Sequence, residues 1–287
     1  MPERGRVSFA RGLLNAAIPL LYFRGWGAVL AYGIGLHGSM RVDRFRLALP
    51  GRGGTRPPLR LVFASDFHAG PTTDPRLIAR ACTLIEQERP DLLLLGGDLV
   101  SFRAAYVEPL AERLGSLRPP LGTFAVLGNH DLVTDVSSFV ERLERRGIEV
   151  LVNENVRLAP PFDDVWVCGF DDATRGRPDA ERAFAGATGT RIVLAHAPAT
   201  LAAIGAARFE LMLAGHTHGG QVALPGGRPL YLPRGPYNRA YARGRFAVGA
   251  GGRATLLVSR GIGCSNLPIR LFADPDILVC ELCTGAE

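Results

Sequence analysis

The chain has 287 residues, a net charge of +6 and five cysteines. That length excludes a disulfide-stapled miniprotein and fits one large α/β domain or two small ones. Every basic residue is arginine, and residues 1–60 hold ten of them against Glu3 and Asp43; the remainder is near neutral, which leaves no broad basic footprint for nucleic acid.

Residues 1–40 read as an apolar, basic segment. Apolar runs cover Leu13 to Phe23 and Trp26 to Leu36, with Arg24 and Gly25 between them and Pro19 inside the first. Neither run reaches the ~20 residues that span a bilayer. Arginines flank both, and Trp26, Tyr22 and Tyr32 suit the headgroup level. The segment is expected to lie on or re-enter a membrane surface, at the cytoplasmic face of the inner membrane. A cleaved export signal, with Val29 to Ala31 as its cleavage site, and a soluble helix packed on the domain are the alternatives. His37 at its end reads as an interface polar residue. Residues 41–58 supply a first strand, "MRVDRFRLAL", and a Gly/Pro-rich linker.

From residue 59 to 287 short apolar runs alternate with amphipathic stretches. "LVFASDFHAG" reads as a buried strand that ends in Asp66 and His68. A helix follows over "DPRLIARACTLIEQERP", with Asp74 at its start and Leu77, Ala81, Leu84 and Ile85 on one face. "DLLLLGGDLV" ends in Asp98, and "FAVLGNHDLV" in Asn129, His130 and Asp131. "SSFVERLERRG" is a second helix, with Phe139 and Leu143 inward and Gly147 as its stop. "RIVLAHAP" ends in His196, and "LMLAGHTHGGQVALP" in His216 and His218.

Alternating strands and helices imply right-handed crossovers and roughly parallel strands. All the strand C-termini then share one edge, where open α/β sheets bind ligands. Five apolar runs each deliver a metal-capable side chain there, and five of the six histidines are among them. Asp66, His68, Asp98, Asn129, His196, His216 and His218 are too many donors for one ion. Carboxylate, amide and imidazole together suit Mn, Fe or Zn. Two ions about 3.5–4 Å apart, joined by a shared carboxylate, can clamp both oxygens of an in-line displacement at phosphorus.

The blocks "SDFH", "GGDLV", "GNHD", "LAHAP" and "GHTHGGQ", in that order, resemble the signature blocks of the calcineurin-like metallophosphoesterases. The "GHTHGGQ" form and the later "SRGIGCSNLPIRL" are similar to a bacterial, membrane-associated subgroup that includes UDP-2,3-diacylglucosamine pyrophosphatases. The resemblance implies a two-sheet sandwich flanked by helices and two divalent metal ions, Mn²⁺ first with Fe, Zn or Mg as alternatives. By the same resemblance Asp66, His68 and His218 bind one metal, Asn129, His196 and His216 the other, and Asp98 bridges them. His130 is then the catalytic histidine, which protonates the leaving oxygen or stabilises charge on the phosphoryl group; Asp131 orients it, and the nucleophile comes from water. One position departs from the family: Ser101 stands where a second Asp or Asn is usual, and reads as support for a ligand.

The expected function is hydrolysis of a phosphodiester or pyrophosphate bond in a membrane-associated substrate such as a nucleotide-linked acylated sugar. The alternatives are a broad phosphodiesterase or phosphomonoesterase on soluble substrates, and a non-catalytic membrane-bound metal-binding scaffold. The Arg- and Tyr-rich stretch from Leu224 to Phe246 reads as a loop too irregular for a helix, with Arg234, Arg239 and Tyr237 as substrate-binding candidates. The lone C-x-x-C at Cys280 and Cys283 carries no metal or redox function on its own. Reduced thiols fit a cytoplasmic location.

Overall fold

A computed structural model describes residues 21–49 and 57–284. Its strands form two six-stranded sheets. In the first, β1 (Arg41–Leu49) lies beside β12 (Asp276–Thr284). Then follow β2 (Leu59–Ala64), β3 (Leu92–Leu95), β4 (Thr123–Ala125) and β5 (Ile148–Val150). The second runs β10 (Gly244–Val248), β11 (Ala254–Val258), β9 (Leu211–Ala214), β8 (Thr190–Leu194), β7 (Val165–Gly169) and β6 (Glu154–Arg157).

Strands β2 to β5 pair in parallel, as do β7, β8, β9 and β11. Three pairings depart from the parallel expectation: β12 with β2, β6 with β7 and β10 with β11 are antiparallel. The fold is α/β, a two-sheet sandwich with helices outside.

Alternation along β2 explains why the runs look uniformly apolar. Leu59, Leu61 and Phe63 enter the core between the sheets, against Leu92, Leu94, Ile192, Leu194 and Leu211. Val62 and Ala64 face the helix layer instead. A strand buried on both faces has no polar side to show.

Helix α1 (Trp26–Gly33) precedes the first sheet. Helices α2 (Pro75–Gln87), α3 (Glu108–Ser116) and α4 (Val136–Glu144) cross between successive parallel strands of that sheet. Asp74 caps α2 by accepting from Arg76 N at 2.8 Å, with Pro75 at the first helical position. Its buried stripe is Leu77, Ala81, Cys82 and Ile85, while Leu84 is half-buried at the edge. Asp135 caps α4, which buries Phe139 and Leu143, and Gly147 turns the chain with φ +76°.

Residues 1–20 of the apolar segment and most of the expected linker lie outside the described residues. No helix among the described residues is long and apolar enough to cross a membrane. The Arg- and Tyr-rich stretch differs from its expectation in one place: Pro236–Ala240 form a short helix, started by Pro236 and steadied by Asn238 Nδ2 donating to Arg234 O at 3.2 Å.

Candidate active site

The loops that follow β2, β3, β4, β8 and β9 carry the donor residues, and the two sheets bring these loop ends together. Five of the donors sit in left-handed backbone: Asp66, His68, Asp98, His216 and His218 have φ between +45° and +72°. Each such non-glycine residue costs on the order of 1–3 kcal/mol and persists where packing over-determines it, which is characteristic of functional sites. Gly215 makes the close approach possible. A Cβ there would stand 2.2 Å from Asp66 Oδ2. The His216 amide instead donates to both Asp66 oxygens, at 3.1 and 3.0 Å.

The donors fall into two groups. In one, His218 Nε2 lies 3.4 Å from Asp66 Oδ1 and 3.1 Å from His68 Nε2. In the other, His196 Nε2 lies 3.2 Å from Asn129 Oδ1 and 3.1 Å from His216 Nδ1. Asp98 stands between them. Its Oδ2 is 3.5 Å from His68 Nε2 and 3.3 Å from His196 Nε2.

The chemistry of the second group fits a cation. His196 Nδ1 faces the Gly96 carbonyl at 2.8 Å, and a carbonyl only accepts, so that nitrogen carries the hydrogen. The Nε2 lone pair then points at the oxygens of Asn129 and Asp98. Such a convergence repels unless a proton or a metal ion sits between the nitrogen and the oxygens. Burial alone lowers the His196 imidazole, but Asp98, Asp66 and Asp172 outweigh it and hold it well above its ordinary value. Burial pushes Asp66 up to about 6, with Asp98 adding to it. Burial also holds His68 and His218 well below the usual imidazole range, ready as neutral ligands.

His130 stands at the mouth, half-buried. Its amide donates to Asp98 Oδ1 at 2.7 Å, its ring meets that of His68 edge-on at 4.8 Å, and its Nε2 is 3.4 Å from Ser265 Oγ. Asp131 acts on the backbone that carries His130: it accepts from Gly128 N at 2.9 Å and Val100 N at 3.1 Å. Burial and the Asp98 charge push its carboxyl up to about 8. Ser101 Oγ lies 2.8 Å from His68 Nδ1 and so fixes that ring.

Two residues of the site escape the sequence reading. Arg270, 2% exposed, donates to the carbonyls of Gly263, Ala273 and Arg260 and places Nη2 3.1 Å from His218 Nδ1. Asp172 follows β7 on the same edge. It is buried, and its Oδ2 accepts from Thr174 N and Arg175 N. "VWVCGFDD" is one more apolar run ending in a carboxylate, the same signal that marks Asp66 and Asp98. Arg234 and Arg239 are exposed and Tyr237 is half-buried. Their segment is tied to the His216–His218 turn where Thr217 Oγ donates to Ala242 O at 2.6 Å.

A sequence profile described as calcineurin-like phosphoesterase matches residues 59–220, a stretch that holds all seven donors and His130. The chain belongs to the calcineurin-like metallophosphoesterases. A transmembrane protein with metallophosphoesterase domain from Danio rerio is 36% identical over 234 residues, 76% of this chain and 52% of that protein. The chain thus spans about half that relative's length. An uncharacterized metallophosphoesterase from Aquifex aeolicus is 30% identical over 77% of this chain and 84% of its own. Phosphodiesterase YaeI from Escherichia coli is 32% identical over 78% of this chain and 82% of its own. The chain carries a metal-dependent phosphoesterase domain, and the matched stretch includes the loops that form the edge described above.

Proposed function

We propose that the protein hydrolyses a phosphodiester or pyrophosphate bond in a membrane-associated substrate, with a nucleotide-linked acylated sugar such as UDP-2,3-diacylglucosamine as the favoured case. The observation that carries the hydrolytic part is the position of Asp98 Oδ2 between two complete donor groups. Asp66, His68 and His218 would hold one divalent cation, Asn129, His196 and His216 a second, and Asp98 both. Cations held there supply Lewis acidity at a phosphoryl oxygen and bring the pKa of coordinated water towards ~7.

The remaining steps belong to side chains. His130 holds a proton at Nε2 for the departing oxygen, and the hydrogen bond from its backbone N–H to Asp98 Oδ1 holds the residue in place. Arg234 and Arg239 can fork onto phosphate, and Tyr237 can stack on a base or line an acyl path. The membrane location is supported by the apolar, arginine-flanked segment at residues 1–40. Mn²⁺ is taken as the first ion to test, and the same carboxylate, amide and imidazole donors also serve Fe and Zn. A scaffold without catalysis predicts lost donors, and none of the seven is missing.

The test is hydrolysis of UDP-2,3-diacylglucosamine in detergent micelles with Mn²⁺, beside bis(p-nitrophenyl) phosphate, with Asp98→Asn as the inactive control. Turnover of the lipid far above the generic diester is the expected result. Turnover of the generic diester alone would retain the metal chemistry and reject this substrate. Activity on neither would reject the hydrolase.

A further inference from the structure

Helix α1 is built inside out for a helix at a water-facing surface. Gly27, Ala28 and Ala31 are buried, while Trp26, Val29 and Leu30 are 49–57% exposed and Ile34 just beyond is 64% exposed. The spacing 26, 29, 30, 34 is one helical stripe. Phe23, in the turn before it, is 66% exposed. A surface helix in water turns its polar face outward; here the large apolar side chains face out and the small ones face in. A contiguous patch of this kind marks an interaction surface.

The helix that carries the stripe packs, by its buried face, on a loop that leads to the active-site mouth. Gly27 packs on the loop after β11, where an added Cβ would lie 3.5 Å from Pro268 Cγ. Pro268 is three residues from Ser265, whose Oγ stands 3.4 Å from His130 Nε2. Three residues reach at most about 11 Å. Leu267 lies between, 52% exposed, and its carbonyl accepts from Gln221 Nε2 at 2.9 Å, which ties the loop to the His218 turn. In the sequence, residues 4–42 include Arg4, Arg6, Arg11, Arg24 and Arg41 and no acidic residue. The carboxylates near this segment in the fold, Asp74 and Asp274, are paired with Arg76 and Arg41. Like charge opposes a second copy of the same face, whereas anionic lipid headgroups complement it.

We propose that the α1 stripe and Leu267 dock on an anionic bilayer, so that the mouth at His130 and Ser265 opens onto the lipid surface. The proposal rests on the reading of the substrate as membrane-associated. It adds which face meets the membrane and how the mouth is aimed.

The test is co-sedimentation of the full chain with vesicles of phosphatidylglycerol and phosphatidylcholine, against pure phosphatidylcholine. Hydrolysis of bis(p-nitrophenyl) phosphate is followed in parallel. The wild type is expected to partition onto the anionic vesicles. The double variant Trp26→Glu/Leu30→Glu should lose about tenfold or more of that partitioning with diester hydrolysis unchanged. In a Trp166→Phe background, brominated lipid should quench the remaining Trp26 emission.

A double variant that sediments like the wild type would overturn the proposal. So would a wild type that ignores anionic vesicles, or one that is dimeric without lipid and made monomeric by the two substitutions. Absence of diester hydrolysis in the wild type would instead count against the hydrolase reading and leave the vesicle result intact.

Discussion

His130 and Asp98 sit one hydrogen bond apart and carry different work. Asp98 offers its Oδ2 to both donor groups and its Oδ1 to the His130 amide. Asp98→Asn is expected to lower bound metal and turnover together. His130→Ala removes a proton donor outside either donor set, so bound metal, counted by elemental analysis, should stay at the wild-type level. Its turnover of a substrate with a poor leaving group should fall by about 10²–10⁴. Full activity in His130→Ala would remove the assigned role. The seven donors and His130 are legible in the sequence because each ends an apolar run. The left-handed backbone of Asp66, His68, Asp98, His216 and His218 is not, because it arises where loops from different strands are forced past one another. Arg270 was hidden for a related reason: an arginine at the surface and one sealed against His218 look alike in one dimension.

At the scale of the element, the crossover helices hold the loops in register. Ile85 of α2 is fully buried against the first sheet. Ile85→Ala should cost about 2–5 kcal/mol, read as a shift in the denaturant midpoint. Asp74→Ala, which removes the cap and the ion pair with the exposed Arg76, should cost less, on the order of 1 kcal/mol. Equal losses would mean that packing against α2 matters less than its start. The apolar runs of β2, β3, β4, β8 and β9 and the helices α2 and α4 could be read directly, since local pattern specifies them. β6, β10 and β12 could not. Each makes one antiparallel pairing, and β12 also pairs in parallel with β1 across more than two hundred residues, so nothing local sets its place or direction. The short helix at Pro236–Ala240 was missed because Gly and Pro around it hide a single turn.

For the whole molecule, the crowded donors link stability to protons when no metal is present. Asp131 is raised to about 8 by burial and by Asp98, and His196 stands above 6.5 because its carboxylate neighbours outweigh burial. Between those two pH values the folded chain holds protons that the unfolded chain has released. Stability of the chelator-treated protein should therefore fall as pH rises from 6.5 to 8, by on the order of 2 kcal/mol. His68 and His218 lie well below 6.5 when folded but are half protonated near pH 6.5 when unfolded, so they oppose the fall at the lower end of the window and drop out above it. Thermal melts at the two pH values check the sign, and added Mn²⁺ should flatten the slope by supplying the positive charge itself. A metal-free melting temperature that climbs with pH would contradict this account. The position of β12 has a consequence for biosynthesis. It lies between β1 and β2, so the first sheet stays in two pieces until the ribosome has passed residue 284. The loops that carry Asp66 and Asp98 emerge early but wait on an open sheet edge, and Ser265 and Arg270 emerge just before β12. The edge is therefore expected to settle only after β12 is made, and a nascent chain stalled near residue 270 should be cut readily by protease where one extended beyond β12 resists.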